Sequence, residues 1–275
     1  MAIPVRPSPV VGSRRPRAGP LYEVKVLGDF EVTRRGTVVA LPESTWRLVA
    51  LLAISGQALR RHRVALTLWP DVDDERAQGN LRSCLWRLRK VAPGLLGSSS
   101  DLLGLDAGVR VDLADLTSLS TRVEAGDPLD AAMLQGLQVD ADLLPDFDDD
   151  FVDENRELVR QLWLRTVEAV AQRLLDGGAV GPALRLALVV VSQAPMRETA
   201  HELILRAHLA EGNTSEALRH YRALSNTLWA ELGIRPSGRM RATMAPWTHA
   251  EERAEYSASP GRSTRCLNVK GKGIP

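Results

Sequence analysis

Sliding the chain against itself by 34 residues superposes Leu175 on Leu209, Gly178 on Gly212, Ala183 on Ala217 and Leu184 on Leu218. A period of that length belongs to helix pairs that stack, because one pair alone cannot cover its apolar face and each neighbour buries the face of the next. Small residues such as Ala183 and Ala217 let two helices approach, and the glycines close the turn between them. Pro195 falls where such a repeat ends, and the second copy departs from the first by carrying Trp229 at the matching place. The helical pattern runs from Leu113 onward, broken by Gly126-Asp127-Pro128 and by an acidic loop from Asp140 to Asp150.

The front of the chain follows another rule. Tyr22, Val24 and Val26 alternate with Glu23 and Lys25, and Phe30 and Val32 with Glu31 and Thr33, the period of half-buried strands. Arg34-Arg35-Gly36 supplies a turn before Val38 to Leu41. A helix is expected from about Glu43 to Ser55, with Trp46, Val49, Leu52 and Ala53 at helical spacing and Gly56 as its stop. A second runs from about Arg61 to Leu68 and ends at Trp69-Pro70. The third starts at Asp73 or Asp74, whose carboxylates cap free N–H groups, and runs to about Ala92 with Ala77, Leu81, Leu85, Leu88 and Val91 as its apolar stripe. After Pro93-Gly94 and Ser98-Ser99-Ser100, Leu102 to Leu105 and Val109 to Leu113 read as a hairpin around Asp106-Ala107-Gly108.

The expected fold class is therefore mainly α: an N-terminal winged helix-turn-helix with a small β-sheet and a wing hairpin, then an all-α, tetratricopeptide-like helical-repeat domain. The expected boundaries are a disordered leader over 1–20, the winged helix over 21–113, the repeat domain over 114–247 and a disordered tail over 248–275. The leader is rich in Pro, Arg, Gly and Ser and lacks the apolar core of a secretory signal, so a cytoplasmic protein is expected. No window approaches a membrane-spanning helix, and two cysteines, Cys84 and Cys266, build neither a disulfide framework nor a zinc ribbon.

The formal net charge of +1 conceals a division: Met1 to Asp112 holds 17 Lys/Arg against 11 Asp/Glu, and Leu113 to Trp247 holds 13 against 20. A basic front and an acidic back suit a protein that puts one end on nucleic acid and keeps the other off it. The basic groups concentrate on the outer side of the third helix, which carries Arg76, Gly79, Arg82, Ser83, Trp86 and Lys90, with Arg87 and Arg89 at its margins. In a major groove, Arg76, Asn80, Arg82 and Ser83 are candidates for base edges or nearby phosphates, since Arg pairs with guanine and Asn with adenine. Arg87, Arg89 and Lys90 lie further along, where phosphate contacts are expected. Trp86 has two readings: packing on the sugar-phosphate backbone, the wing or a second protomer, or partial burial under the loop after Pro93. Arg110, on the expected wing, and Arg61, with Arg60 and Arg63 around the start of the second helix, are further candidates for phosphate.

His201 and His208 lie seven apart but lack the spacing of a zinc-protease helix, and the acidic run Asp146, Asp148, Asp149, Asp150, Asp153 and Glu154 lacks the central glycine of a calcium loop. No glycine-rich phosphate loop, nucleophile elbow or Cys/His pair occurs, so neither an enzyme nor a metal or cofactor site is expected. The rival to a DNA-binding regulator is a helical-repeat protein-interaction adaptor without DNA-binding activity.

Several stretches resemble the SARP-type antibiotic regulatory proteins of actinobacteria, which join an OmpR/PhoB-like winged helix to a bacterial transcriptional activator domain. They are Val26-Leu27-Gly28-Asp29-Phe30-Glu31-Val32, Leu68-Trp69-Pro70-Asp71, Asn80-Leu81-Arg82 and Arg87-Leu88-Arg89-Lys90 in the front. In the back they are Glu216-Ala217-Leu218-Arg219-His220-Tyr221 and Glu231-Leu232-Gly233-Ile234-Arg235-Pro236-Ser237. The resemblance covers about Leu21 to Trp247. It implies an activator of secondary-metabolite gene clusters that binds repeated elements of double-stranded promoter DNA and contacts RNA polymerase, including its sigma subunit. A homodimer on that DNA is expected separately, because a second protomer on a neighbouring repeat is engaged at high effective concentration.

Overall fold

The computed structural model describes residues 21–97, 101–129, 137 and 142–258, with side chains to Thr248. The chain is mainly helical, with a small N-terminal sheet, and divides into two compact units at Thr166/Val167. The packing division thus lies beyond Leu113, where the pattern of the sequence changes.

In the first unit, β1 (Tyr22–Lys25), β2 (Glu31–Arg34), β3 (Thr37–Val38) and β6 (Val109–Val111) form one sheet in the order β3-β2-β1-β6. Tyr22, Val24 and Val26 are buried, as their alternation requires. The β2–β3 turn places both Arg35 (φ 52) and Gly36 (φ 81) in the left-handed region, the geometry of a tight hairpin with the strand twist. Next come α1 (Glu43–Ser55), β4 (Leu59–Arg60), α2 (Arg61–Leu68) and α3 (Asp74–Val91), with the limits that the caps and Pro70 imply. After α3 lie β5 (Leu102–Leu103), β6 and α4 (Asp112–Glu124).

The wing departs from expectation. The turn at Asp106 forms, with the Val109 N–H donating to the Asp106 carbonyl at 2.9 Å, but the segments on its two sides enter different sheets. β5 pairs antiparallel with β4, whereas β6 pairs parallel with β1. The antiparallel ladder after α3 instead joins Leu95–Gly97 to Gly104–Asp106: Gly97 N–H donates to Gly104 O at 3.0 Å and Asp106 N–H to Leu95 O at 2.9 Å. Residues 98–100 lie outside the described residues. A Val-Arg-Val strand satisfies its apolar face against β1 as well as it would against β5, and the alternation is silent on which neighbour supplies the hydrogen bonds.

Two features join α4 and the following chain to the winged helix. The buried Asp112 carboxylate accepts the backbone N–H groups of Val26, Leu27 and Leu113 at 2.7 to 3.0 Å, an N-terminal anchor for α4 on the end of β1. Burial raises the pKa of this carboxyl, and the three backbone donors oppose the shift. Farther on, Gly28 N–H donates to Asp142 O at 2.7 Å and Leu144 N–H to Val26 O at 3.1 Å, so residues 142–144 lie along the end of β1 like an added strand. Phe147 packs on Phe30 with centroids 5.7 Å apart, Arg47 of α1 bonds Asp149, and Arg156 donates to the carbonyls of Leu143 and Leu144. Arg156 stands on α5 (Asp150–Asp176).

The second unit bears out the helix-pair repeat. The end of α5 turns into α6 (Val180–Gln193), and α7 (Glu198–Ala210) turns into α8 (Thr214–Leu232). Both turns have one geometry: Gly178 (φ 80) and Gly212 (φ 77) are left-handed, and the next N–H reaches back to the carbonyl of Leu174 or His208, at 2.8 Å in each case. Ala183 and Ala217 are buried against the facing helices. The departure at Trp229 also has its consequence, because α6 stops before Pro195 while α8, with no proline there, runs five residues longer: 19 against 14. The closing helix, α9 (Gly238–Ala258), continues past Trp247, correcting the expectation that structure ends there. Ala250, Glu251, Glu252, Arg253, Ala254 and Glu255 are strong helix formers, so propensity extends the backbone without an apolar stripe. Residues 1–20 and 259–275, expected as disordered leader and tail end, lie outside the described residues.

His201 is buried here, and its Nε2–H donates to Pro195 O at 2.7 Å. A neutral His201 then has Nδ1 free to accept from His220 Nε2–H at 2.8 Å. Burial first, then the neighbouring His201 and His208, pushes the His220 pKa down to about 4. The unfolded chain therefore takes up a proton near pH 6.5 that the folded chain refuses. Stability from this pair is expected to be complete above pH 6.5 and to be lost as the pH falls towards about 4. Urea midpoints of wild type and His220→Gln between pH 7.5 and 4.5 check this: the variant should show the smaller loss, and parallel curves would remove the pair as the cause.

Candidate nucleic-acid interface

The third helix is fixed from both sides. Asp73 caps it, its side chain accepting the Arg76 N–H at 2.9 Å, and Asp74 and Glu75 stand in the first turn, where negative charge suits the helix dipole. Ala77, Leu81, Cys84, Leu85 and Leu88 are buried, and α3 packs on α1 and α2. Val91, expected to complete this stripe, is exposed. The Cys84 thiol, pushed up to about 11 by burial, stays protonated and donates to Ser44 O at 3.3 Å, a packing group and not a nucleophile.

The opposite face carries the residues singled out from the sequence. Arg76, Arg82, Ser83, Trp86, Arg87, Arg89 and Lys90 are exposed, and Asn80 and Arg61 are half-buried. Steps of three and four residues bring Gly79, Arg82, Ser83, Trp86 and Lys90 to one side, and Arg76 and Arg89 flank it. Among the described residues Arg76, Arg82 and Arg89 meet no carboxylate, whereas Arg47, Arg110, Arg156, Arg197, Arg206 and Arg239 each do. A folded chain with 34 acidic residues that leaves this face unpaired presents fixed positive charge to solvent.

Trp86 is 66% exposed, so it is not covered by the loop after Pro93. The Lys90 ammonium sits 5.4 Å from its ring centroid, a cation–π contact that holds both side chains on the outer face. Arg87 turns aside, its Nη1 donating to Ser44 Oγ of α1 at 2.8 Å, and Ser83 Oγ bonds back to Gly79 O at 3.1 Å, leaving its lone pairs outward. Arg61 lies at the start of α2 with exposed Arg60 and Arg63 around it, and its N–H is taken by Asp101 O at 3.0 Å.

Arg110 stands apart from this set. It belongs to β6 of the four-stranded sheet instead of the ladder after α3, and its guanidinium is held by Asp115 at 2.6 Å and Glu23 at 3.8 Å. One group at this site carries no signal in the sequence: His62 of α2 has Nδ1 3.1 Å from Asp74 and 3.3 Å from Gln78 Nε2, tying α2 to the first turns of α3. Sixteen residues separate His62 from Gln78, and nothing in their spacing signals the contact.

Gly79 sits mid-helix with ample room, since an added Cβ would meet only the Arg82 guanidinium, at 3.6 Å. Gly79→Ala is expected to stabilise the chain by about 1 kcal/mol through helix propensity, read as a raised urea midpoint. If the same variant binds duplex DNA more weakly, the glycine serves close approach to DNA; unchanged stability would contradict the open site.

A basic helix presented outward on a three-helix scaffold, with an antiparallel ladder after it and stacked helix pairs in a separate unit, defines a winged-helix protein joined to a helical repeat. Residues 114–246 match the family model "Bacterial transcriptional activator domain". The chain is 29% identical over 224 residues to the regulatory protein AfsR of Streptomyces coelicolor, an alignment covering 77% of this chain and 22% of that protein. It thus spans about a fifth of the length of that relative. Among solved structures it is similar to Mycobacterium tuberculosis EmbR in complex with a low affinity phosphopeptide, with a TM-score of 0.65 at 20% identity, covering 87% of this chain and 69% of that one. At that identity the likeness describes the fold. Residues 114–246 thus carry the bacterial transcriptional activator domain, and over the aligned span the chain is similar to a regulatory protein. Among the described residues no helix is long and apolar enough to cross a membrane, and no group of three or more His, Cys, Asp or Glu residues is arranged to hold a metal.

Proposed function

We propose that the chain is a sequence-specific transcriptional activator that lays α3 in the major groove of promoter DNA and acts on RNA polymerase through its protein surfaces. What carries this reading is the outer face of α3, where Arg76, Arg82, Arg89 and Lys90 surround an exposed Trp86 and none of the four pairs with a carboxylate among the described residues. In this assignment Arg82, Arg76 and Asn80 read base edges, and Ser83, Arg89, Lys90, Arg61 and Arg87 position the helix on phosphate. Arg110 is left out because Asp115 and Glu23 already occupy it. The activator-domain match and the resemblance to the SARP-type regulators support the remainder: repeated promoter elements in a secondary-metabolite gene cluster, with two protomers side by side on neighbouring repeats, and contact with polymerase including its sigma subunit. Two protomers on adjacent elements gain by effective concentration without any new contact to DNA.

Arg82→Ala tests the assignment. Its side chain is exposed, so the variant should melt as wild type does and lose about 1 to 3 kcal/mol on the specific site while keeping most of its affinity for random duplex. Gel shifts on both duplexes decide: equal losses would make Arg82 a phosphate contact, and no loss on either would take α3 off the DNA.

A further inference from the structure

Where α8 overruns the end of its repeat it builds a second feature. Tyr221, Ser225 and Trp229 on α8, Ile234, Arg235 and Pro236 in the following loop, and Arg241 on α9 line an open groove of about 400 Å³. Trp229, in the place where the first repeat has Pro195, is 61% exposed, and Ile234 is 46% exposed. The rim is held in position: Gly233 caps α8 in the left-handed region, Ser237 N–H donates to Glu198 Oε2 at 2.6 Å, and Arg239 donates to buried Glu202 at 2.8 Å. The groove's own two arginines, Arg235 and Arg241, are exposed and meet no carboxylate among the described residues, although Arg239 between them does.

We propose that this groove docks an acidic peptide segment of a partner protein, which sets an apolar side chain on Trp229 between carboxylates that meet Arg235 and Arg241. Tryptophan and arginine around one pocket are the residue types that dominate protein–protein hot spots, and an apolar floor with a cationic rim fits acidic residues flanking Leu or Phe. The chain's own ends do not suit it: residues 1–20 and 259–275 hold four Arg or Lys each and no Asp or Glu. Nor does the same groove of a second copy, since a twofold contact would set Arg235 and Arg241 against like charge. Duplex DNA answers the cations but offers nothing to fill the pocket between Tyr221 and Pro236. The inference stands on this geometry and holds whether or not α3 reads DNA.

The test is selection of random 12-residue peptides displayed on phage against the full chain, counter-selected on the R235E/R241E variant, followed by anisotropy of the labelled winners. Expected are sequences with Asp or Glu flanking Leu, Phe or Trp. Trp229→Ala should bind them at least tenfold more weakly and R235E/R241E not at all, with lysine-substituted peptides recovering binding to the latter. All substituted side chains are exposed, so melting curves should stay at wild type, and Arg82→Ala should bind the peptides fully. Failure of the selection, winners without acidic enrichment, or binding unchanged in the variants would overturn the proposal. So would a short duplex competing for the same residues, or a wild-type dimer in light scattering that R235E/R241E makes monomeric.

Discussion

A fragment of residues 21–113 is expected to melt about 10 °C or more below a fragment of residues 21–166. The pattern of the sequence suggests the shorter piece as a domain, yet the packing of the first unit needs the longer one. Leu143, Leu144 and Phe147 are buried, and each side chain contributes about 1.5 to 3 kcal/mol when fully covered. The backbone adds bonds from Gly28 to Asp142 and from Leu144 to Val26, and Arg47 pairs with a mostly buried Asp149. Ordering the segment offsets part of this at about 1 to 2 kcal/mol per residue, but residues 142–149 lead directly into α5, where Arg156 donates to the Leu143 and Leu144 carbonyls and holds the segment in place. A net loss of a few kcal/mol corresponds to roughly 4 to 8 °C for each kcal/mol in a domain of this size. Circular dichroism melts of the two fragments decide the matter. Equal midpoints would mean that residues 142–150 rest on the winged helix without supporting it.

Much of the fold was legible because punctuation residues carried it. Gly56 ends α1 and Pro70 follows the end of α2 where local backbone rules put them, and the paired glycines Gly178 and Gly212 mark the helix-pair turns by backbone geometry alone. The wing was not legible in the same way. Asp106 to Gly108 is a real turn, but a strand's partner is chosen by tertiary packing, and Val109 to Val111 went to β1. The added strand at residues 142–144 was equally silent: Leu143-Leu144-Pro145 is too short for any period, and its meaning lies in the two β1-end residues it covers. At the site, helical spacing alone placed Arg82, Trp86 and Lys90 on one face. It was silent on Arg87 bonding Ser44 and on Arg110 being held by Asp115, since both partners come from other elements or turns. Trp229 stood out only as a broken repeat, and the groove it lines appears once α8, its loop and α9 are assembled.

The central claim is that the outer face of α3 meets phosphate and bases, and the most direct measurement is a salt series of DNA binding by the full chain and by a variant with Arg76, Arg82, Arg89 and Lys90 all replaced by Ala. Duplexes tiled across the promoters of its own genomic neighbourhood serve as probes, and gel shifts from 50 to 300 mM salt give the slope of log Kobs against log salt. Each phosphate neutralised by a cation contributes about 0.9 to that slope through released counterions. Wild type is therefore expected to bind one of these promoters with a steep slope. The variant, with melting unchanged because all four side chains are exposed, should lose about 2 of the slope through Arg89 and Lys90, and roughly a hundredfold or more in affinity at 100 mM salt once the base contacts of Arg76 and Arg82 go as well. A wild-type chain that binds none of these promoters, or a variant that binds them with the wild-type slope, would contradict the assignment of α3 to DNA.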